Sequence, residues 1–207
     1  MKKMGILVLI IGLSLTALGT FMLLNKPSDN VAVTDKSEIN PQQNSSASEH
    51  DSPSPAEIGK QFEDFIVTLV NKNDLMTLKR RSDDRIVDGT MASDNMNPDL
   101  LIELRLGNQR HPFAIECKWR KGFNSNDEVT LSYNKQLERY RQYAEREGID
   151  VFIVAGVGGS TQQPESVYII PLQSLTEPKC SRSFLEPFKR ATADKMLYYN
   201  PSEHSLH

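Results

Sequence analysis

Phe113-Ala114-Ile115-Glu116-Cys117-Lys118-Trp119 sets two opposite charges one residue apart inside an otherwise apolar run. Read as a strand, its side chains alternate faces with period two. Ile115, Cys117 and Trp119 then bury on one side, while Glu116 and Lys118 share the other. Upstream, Asn97-Pro98-Asp99-Leu100-Leu101-Ile102 is a second strand-like segment that opens on an acid. Between Asp99 and Glu116 there is room for one strand, a turn at Gly107-Asn108 and the return strand. An antiparallel hairpin would bring Asp99, Glu116 and Lys118 together at one end of a sheet. Two carboxylates beside an ammonium, on apolar support, can hold a divalent cation and orient a water.

Around this hairpin the chain alternates helical and strand patterns. Ile58, Phe62, Phe65, Ile66, Leu69 and Val70 recur at three- and four-residue steps, which predicts an amphipathic helix starting after Pro55. Glu63 lies at the apolar boundary of that helix, as an ordinary surface acid or as one reaching the site. Residues 75–79 read as a strand, and 82–97 as a polar loop or hairpin tip. Residues 100–106 and 113–119 are the core strands. Residues 131–146 are helical, with Tyr133, Leu137, Tyr140 and Ala144 on one stripe. Gln136 and Tyr140 are neighbours on one face of it. Tyr140 fits core packing as well as a functional role, whereas a buried Gln136 amide needs partners.

Residues 151–157 are a continuous apolar run, as expected of a strand covered on both faces. Residues 166–171 are the next strand, and 185–197 are expected to add a last helix. The Gly-rich stretch 156–160 lacks the Lys and the following helix of a phosphate loop and reads as a turn. Helix, three strands, helix, two strands predicts an α/β (α+β) fold with a mixed central β-sheet flanked by helices.

The amino-terminal part is different in kind. The run 5–24 carries no charge and has the ~20 residues that span a hydrocarbon core as a helix. Residues 1–4 would be a short cytoplasmic end. A cleaved signal peptide is the competing reading, although its apolar core is usually only about 7–15 residues. Lys2 and Lys3 precede the run, and the charges after it nearly balance, so the positive-inside rule leans toward an exported domain. Residues 25–56 are rich in Ser, Asn, Pro and Gln, too poor in apolar side chains to fold, and read as a flexible linker. The expected organisation is therefore a single-pass membrane protein with a folded domain at 57–200 and a loose tail at 201–207.

Charge and cysteine usage narrow the classes further. From Glu57 onward, twenty Lys and Arg stand against twenty-two Asp and Glu, which argues against a non-specific basic coat on DNA. Local basic clusters remain, at Lys79-Arg80-Arg81 and at Lys118-Trp119-Arg120-Lys121, the second running directly on from the acidic pair. Cys117 and Cys180 lack the paired spacing of a zinc site. Cys117 is expected to be a small buried hydrophobe, with a disulfide to Cys180 as an alternative in an exported domain. The four histidines show no ligand-pair spacing.

Pro98-Asp99 followed by Glu116-Cys117-Lys118 resembles the PD-(D/E)xK motif of the restriction-endonuclease-like nuclease superfamily. Gly59-Lys60-Gln61-Phe62-Glu63 is similar to the family's first helix. Gln136 and Tyr140 are similar to the Gln-x-x-x-Tyr element of its RecB-like members, and Asp88-Gly89 to a DG ahead of the Pro-Asp pair. The resemblance runs from about Glu57 to Leu175. It implies a restriction-endonuclease-like core and hydrolysis of phosphodiester bonds in nucleic acid, DNA first, with Mg²⁺ or Mn²⁺ as cofactor. It further implies Asp99, Glu116, Glu63 and the Cys117 backbone carbonyl as metal ligands. Asp99, Glu116, Lys118 and Gln136 become the catalytic set, with Lys118 orienting the attacking water. Arg120, Lys121 and Tyr140 become contacts to nucleic acid. The alternative is a catalytically inactive, membrane-tethered interaction module that keeps the fold. An exported nuclease would not meet its own cell's DNA, so the membrane side stays open.

Overall fold

Ser54 starts the first helix with a reciprocal cap: its Oγ accepts from the Glu57 amide at 3.3 Å, and its own amide donates to Glu57 Oε2 at 2.7 Å. Such a box satisfies two of the amides that a helix start leaves unpaired. Helix α1 (Pro55–Asn71) then buries Phe62, Ile66, Leu69 and Val70. Each such side chain contributes roughly 1.5–3 kcal/mol by leaving water. The computed structural model describes residues 52–82, 86–87, 90–91 and 97–207. The expected span 5–24, nearly all of the linker, and Asp88-Gly89 lie outside the described residues. Among the described residues no helix is long and apolar enough to cross a membrane.

Five strands form the central sheet: β1 (Met76–Arg81), β4 (Leu100–Leu106), β5 (Gln109–Arg120), β7 (Asp150–Val157) and β8 (Ser166–Pro171), side by side in that order. The short strands β2 (Ile86–Val87) and β3 (Thr90–Met91) pair with each other, in the region read as a hairpin tip. The β4–β5 hairpin closes on Gly107-Asn108 as expected, with Gly107 at φ +59°, a conformation that favours glycine. Leu100 faces Ile115 across it, so Asp99 enters the sheet beside Glu116. Strand β7 runs parallel to β5, with Glu116 opposite Ile153 and Lys118 opposite Ala155. That parallel step is bridged by β6 (Glu128–Thr130) and helix α2 (Asn134–Glu147). The sheet is mixed and helices cover both faces, as the element order predicts.

The two helices define two cores. Phe62, Ile66, Leu69 and Val70 of α1 pack on Leu100, Ile102, Phe113, Ile115 and Cys117. Leu137, Tyr140 and Tyr143 of α2 pack on Ala114, Val151, Ile153 and Ala155. Because α2 roofs the second face, the supposedly polar side of β5 is not open to water: Glu116 is only 1% exposed, less than Trp119 beside it.

Two expectations fail at the carboxyl end. No long helix forms over 185–197. Instead one α-turn, α3 (Arg182–Leu185), passes into a 3₁₀ turn at Glu186–Phe188. Pro187 has no amide hydrogen to continue an α-helix. The Arg190 guanidinium then holds the loop by donating to the carbonyls of Ala193, Lys195 and Met196. Nor is 201–207 a loose tail. Strands β10 (Tyr199–Asn200) and β11 (Ser205–Leu206) pair, and Leu206 is buried. Tyr199 Oη donates to Asp150 Oδ2 at 2.5 Å, and His204 Nδ1 lies 2.9 Å from the same oxygen. Between β9 (Lys179–Ser181) and the core strand, Cys180 and Cys117 are both free thiols, so the disulfide alternative is not realised.

Gly156 sets how closely α1 approaches the sheet. A Cβ placed there would stand 2.5 Å from Phe62 Cε2 and 3.2 Å from Trp119 Cδ1. Gly156→Ala should therefore destabilise the fold by roughly 1–3 kcal/mol through overpacking, seen as a lower denaturant midpoint, and Phe62→Leu in the same chain should recover part of the loss.

Candidate active site

Lys118 follows Glu116 by two residues on β5, so both side chains leave the strand on the α2 face. There the Lys118 ammonium meets Glu116 Oε1 in an ion pair. On the same oxygen, the Gln136 amide donates from α2 at 3.4 Å. The other end of that amide is fixed as well, since Ser132 Oγ donates to Gln136 Oε1 at 2.9 Å. This chain answers the question of what a half-buried Gln136 bonds to. Glu116 Oε2, in contrast, is met by neither of these groups, and the Tyr140 phenol is the further polar group beside the carboxylate.

Asp99 comes from the start of β4. Its Oδ2 accepts the Cys117 backbone amide at 2.7 Å, and its own carbonyl accepts from Ser82. These bonds pin the acid at the end of the sheet. Loss of water around the carboxyl, then the negative Glu116, push the Asp99 pKa well above the ordinary range, and the Lys118 charge only partly offsets this. Burial works to neutralise Lys118, but Glu116 and Asp99 outweigh it and raise its pKa, so the ammonium stays charged. The Cys117 thiol is pushed up by burial and by the surrounding acids, which keeps it a neutral, inert group.

Asp99 and Lys118 open into a cleft of about 460 Å³, walled also by Lys60, Glu63, Arg81 and Arg120. The first turns of α1 form one side of it. Glu63 reaches the cleft from that helix and is paired there with Arg81, Nε to Oε2 at 2.8 Å. The same guanidinium holds Asp64 at 2.6 Å and the Lys60 carbonyl at 3.3 Å. Successive arginines part company here, for Arg80 turns to the other face and donates to Tyr143 Oη at 3.0 Å.

Asp99, Glu116, Lys118, Gln136 and Glu63 thus converge from four elements, as the sequence leads one to expect. Other placements differ. Tyr140, expected to touch nucleic acid, is 2% exposed and packs inside the α2 core. Its phenol stands beside Glu116, and burial followed by that negative charge raises its pKa far above the usual value. It supports Glu116 from behind and presents no surface to a ligand. Arg120 lines the cleft, but its guanidinium is tied to the Thr130 carbonyl at 2.6 Å and to its own neighbour's carbonyl at 2.8 Å. Lys121 is exposed at the end of the strand. Arg81 and Ser132 were not picked out by sequence. A basic run and a serine before a helix carry no sign that distant carboxylate and amide groups will meet them.

A hard cation fits part of this arrangement. Two carboxyl groups lie side by side in a water-poor wall, one of them with an oxygen that neither Lys118 nor Gln136 meets, and a nearby positive charge favours the charged form of each. Among the described residues no group of three or more His, Cys, Asp or Glu side chains is placed to hold a metal ion. The donor set suits an ion that keeps waters and takes oxygen from a ligand, as Mg²⁺ does.

No protein-family model and no curated protein matches the chain. Among solved structures, that of Archaeoglobus fulgidus Hjc, a Holliday junction resolvase from an archaeal hyperthermophile, is similar at 20% identity with a TM-score of 0.43. It covers 64% of this chain and 89% of its own. A likeness of that size leaves the chemistry to be read from the residues themselves.

The crowding of the two acids has a pH signature in metal-free protein. Asp99 binds its proton more tightly folded than unfolded. Stability should therefore rise as pH falls toward the ordinary carboxylate range near 4, and decline as pH rises through the folded pKa. Asp99→Asn keeps an acceptor for the Cys117 amide and should flatten this dependence in melting curves taken with chelator. Parallel profiles for the two proteins would contradict the assignment.

Proposed function

We propose that the chain is a metal-dependent nuclease of the PD-(D/E)xK kind that hydrolyses phosphodiester bonds, with DNA the first substrate to test. The observation that carries this reading is the buried Glu116 beside the half-buried, cleft-lining Asp99, with a charged Lys118 that pairs with Glu116 and lines the same cleft. Asp99 and Glu116 would hold the ion directly. Glu63, already engaged with Arg81, would act through a water. When bound, Mg²⁺ or Mn²⁺ supplies charge neutralisation at the phosphoryl oxygens.

The protein's own groups do the rest. Lys118 sits where it can orient a water and stabilise negative charge that develops on the phosphoryl group. Gln136 holds Glu116 in register and is itself held by Ser132. Lys60 and Arg81 at the cleft rim and Arg120 in its wall give the phosphate backbone a positive approach to a site that is otherwise acidic. Lys121 extends that approach.

Incubation of the purified full chain with linear, circular and single-stranded DNA, with Mg²⁺, Mn²⁺ or chelator, tests the activity. Lys118→Ala should lower cleavage by roughly 10²–10³-fold while leaving the melting transition cooperative. Full activity in Lys118→Ala would overturn its role, and binding of DNA without metal-dependent cleavage by the unmodified chain would favour an inactive binding module. Trp119 is the sole tryptophan and lines the cleft, so Mg²⁺ entry should change its fluorescence, and Asp99→Ala should abolish that change.

We also propose that the apolar run 5–24 anchors the chain in a membrane as a single pass. Alkaline carbonate extraction should leave the full-length chain in the membrane pellet. Recovery of a shortened chain in the supernatant would favour a cleaved signal peptide.

A further inference from the structure

Tyr133 is 74% exposed, the most exposed large apolar side chain among the described residues. Its backbone is nonetheless firmly held. Its carbonyl accepts from the Gln136 and Leu137 amides at 2.9 and 3.0 Å, closing the first turn of α2. One residue before it, the buried Ser132 bonds Gln136, which bonds Glu116. Two residues before it, Leu131 is fully buried and its amide donates to the Pro178 carbonyl at 2.8 Å. The side chain makes no cap hydrogen bond to its helix. A rigid pedestal thus carries an aromatic ring into solvent with no apolar partner.

The pedestal stands beside the cleft. Arg120, in the cleft wall, is bonded to the Thr130 carbonyl of the same segment. Tyr133 lies near enough to Arg120 to couple to it electrostatically. Exposed Lys121 follows on the strand. An aromatic face beside cations that track a phosphate backbone is the pairing that single-stranded nucleic acid uses, because every base has a face to stack. A base inside a duplex has both faces taken by its neighbours and must leave the stack before it can lie on an external ring.

Resting on the nuclease reading, we infer that Tyr133 is a stacking platform for an unpaired nucleobase next to the scissile phosphate, so that the preferred substrate is single-stranded or carries a single-stranded end. A strand laid with one base on Tyr133 runs its phosphates past Arg120 toward Lys118. The ring determines substrate preference and takes no part in bond cleavage.

A binding cycle tests this without relying on turnover. Fluorescence anisotropy of the full chain is measured in chelator, and again with Ca²⁺, on a labelled single-stranded oligodeoxynucleotide and on a fully abasic strand of equal length. The unmodified chain should prefer the base-bearing strand by about tenfold, in line with the stacking of one base. Tyr133→Ala should lose that preference and bind both strands as the unmodified chain binds the abasic one, while Tyr133→Phe keeps it. Equal preference in Tyr133→Ala and the unmodified chain overturns the inference and leaves the nuclease reading standing where DNA is still cleaved. Failure of the unmodified chain to bind any of these strands or duplex DNA, with no cleavage, ends both.

Discussion

A carboxylate that is almost wholly withdrawn from water governs this structure. Burying an unpaired charge costs several kcal/mol even after relaxation, and Glu116 is nearly closed off on every side. The Lys118 ammonium and the Gln136 amide meet one of its oxygens, and the Tyr140 phenol is the further polar group beside it. Removing one partner of such a pair typically costs about 3–5 kcal/mol. Asp99 adds a second acid to the same wall, and its raised pKa reflects that crowding. The fold therefore carries electrostatic strain at one end of its sheet, as clusters of perturbed titratable groups at functional sites do.

Everything around that end serves to keep it in place. The β4–β5 hairpin puts Asp99 level with Glu116, and the Cys117 amide locks the acid there. Helix α1 is drawn close because Gly156 leaves room for Phe62, which sets Glu63, one residue on, at the cleft edge. Helix α2 does the same from the opposite face through Ser132, Gln136 and Tyr140. The far end of the molecule is closed by the β10–β11 pair and by Tyr199 and His204 on Asp150. A rigid scaffold with its strain confined to one cleft suits the proposed phosphodiester chemistry, which depends mainly on positioning and charge.

Arg81 shows how the cleft balances its own charge. It bridges Glu63, Asp64 and the Lys60 carbonyl on the α1 side, so Glu63 is partly neutralised while it still lines the cleft. Lys118 does this for Glu116 and, more weakly, for Asp99. The mild overall acidity of the chain is thus compatible with a locally positive approach for phosphate.

Periodicity was enough to find the two main helices and the core strands, and Gly107-Asn108 marked the turn, although α2 begins at Asn134 and leaves Tyr133, read on its apolar stripe, exposed. The spacing of Pro98-Asp99, Glu116 and Lys118 likewise marked the acids and the amine, since one hairpin forces them together whatever the rest of the chain does. The carboxyl end departs from the sequence reading because Pro187 stops the helix expected over 185–197, and because the local Tyr199–Leu206 pairing is held by burial in the core and by the bonds of Tyr199 and His204 to the distant Asp150. Only the tertiary structure decided that Glu116 is buried, that Tyr140 faces inward while Tyr133 faces solvent, and that Arg81 and Ser132 join the site. Those outcomes turn on which helix roofs which face of the sheet, a choice made by long-range packing that no local pattern of side chains encodes.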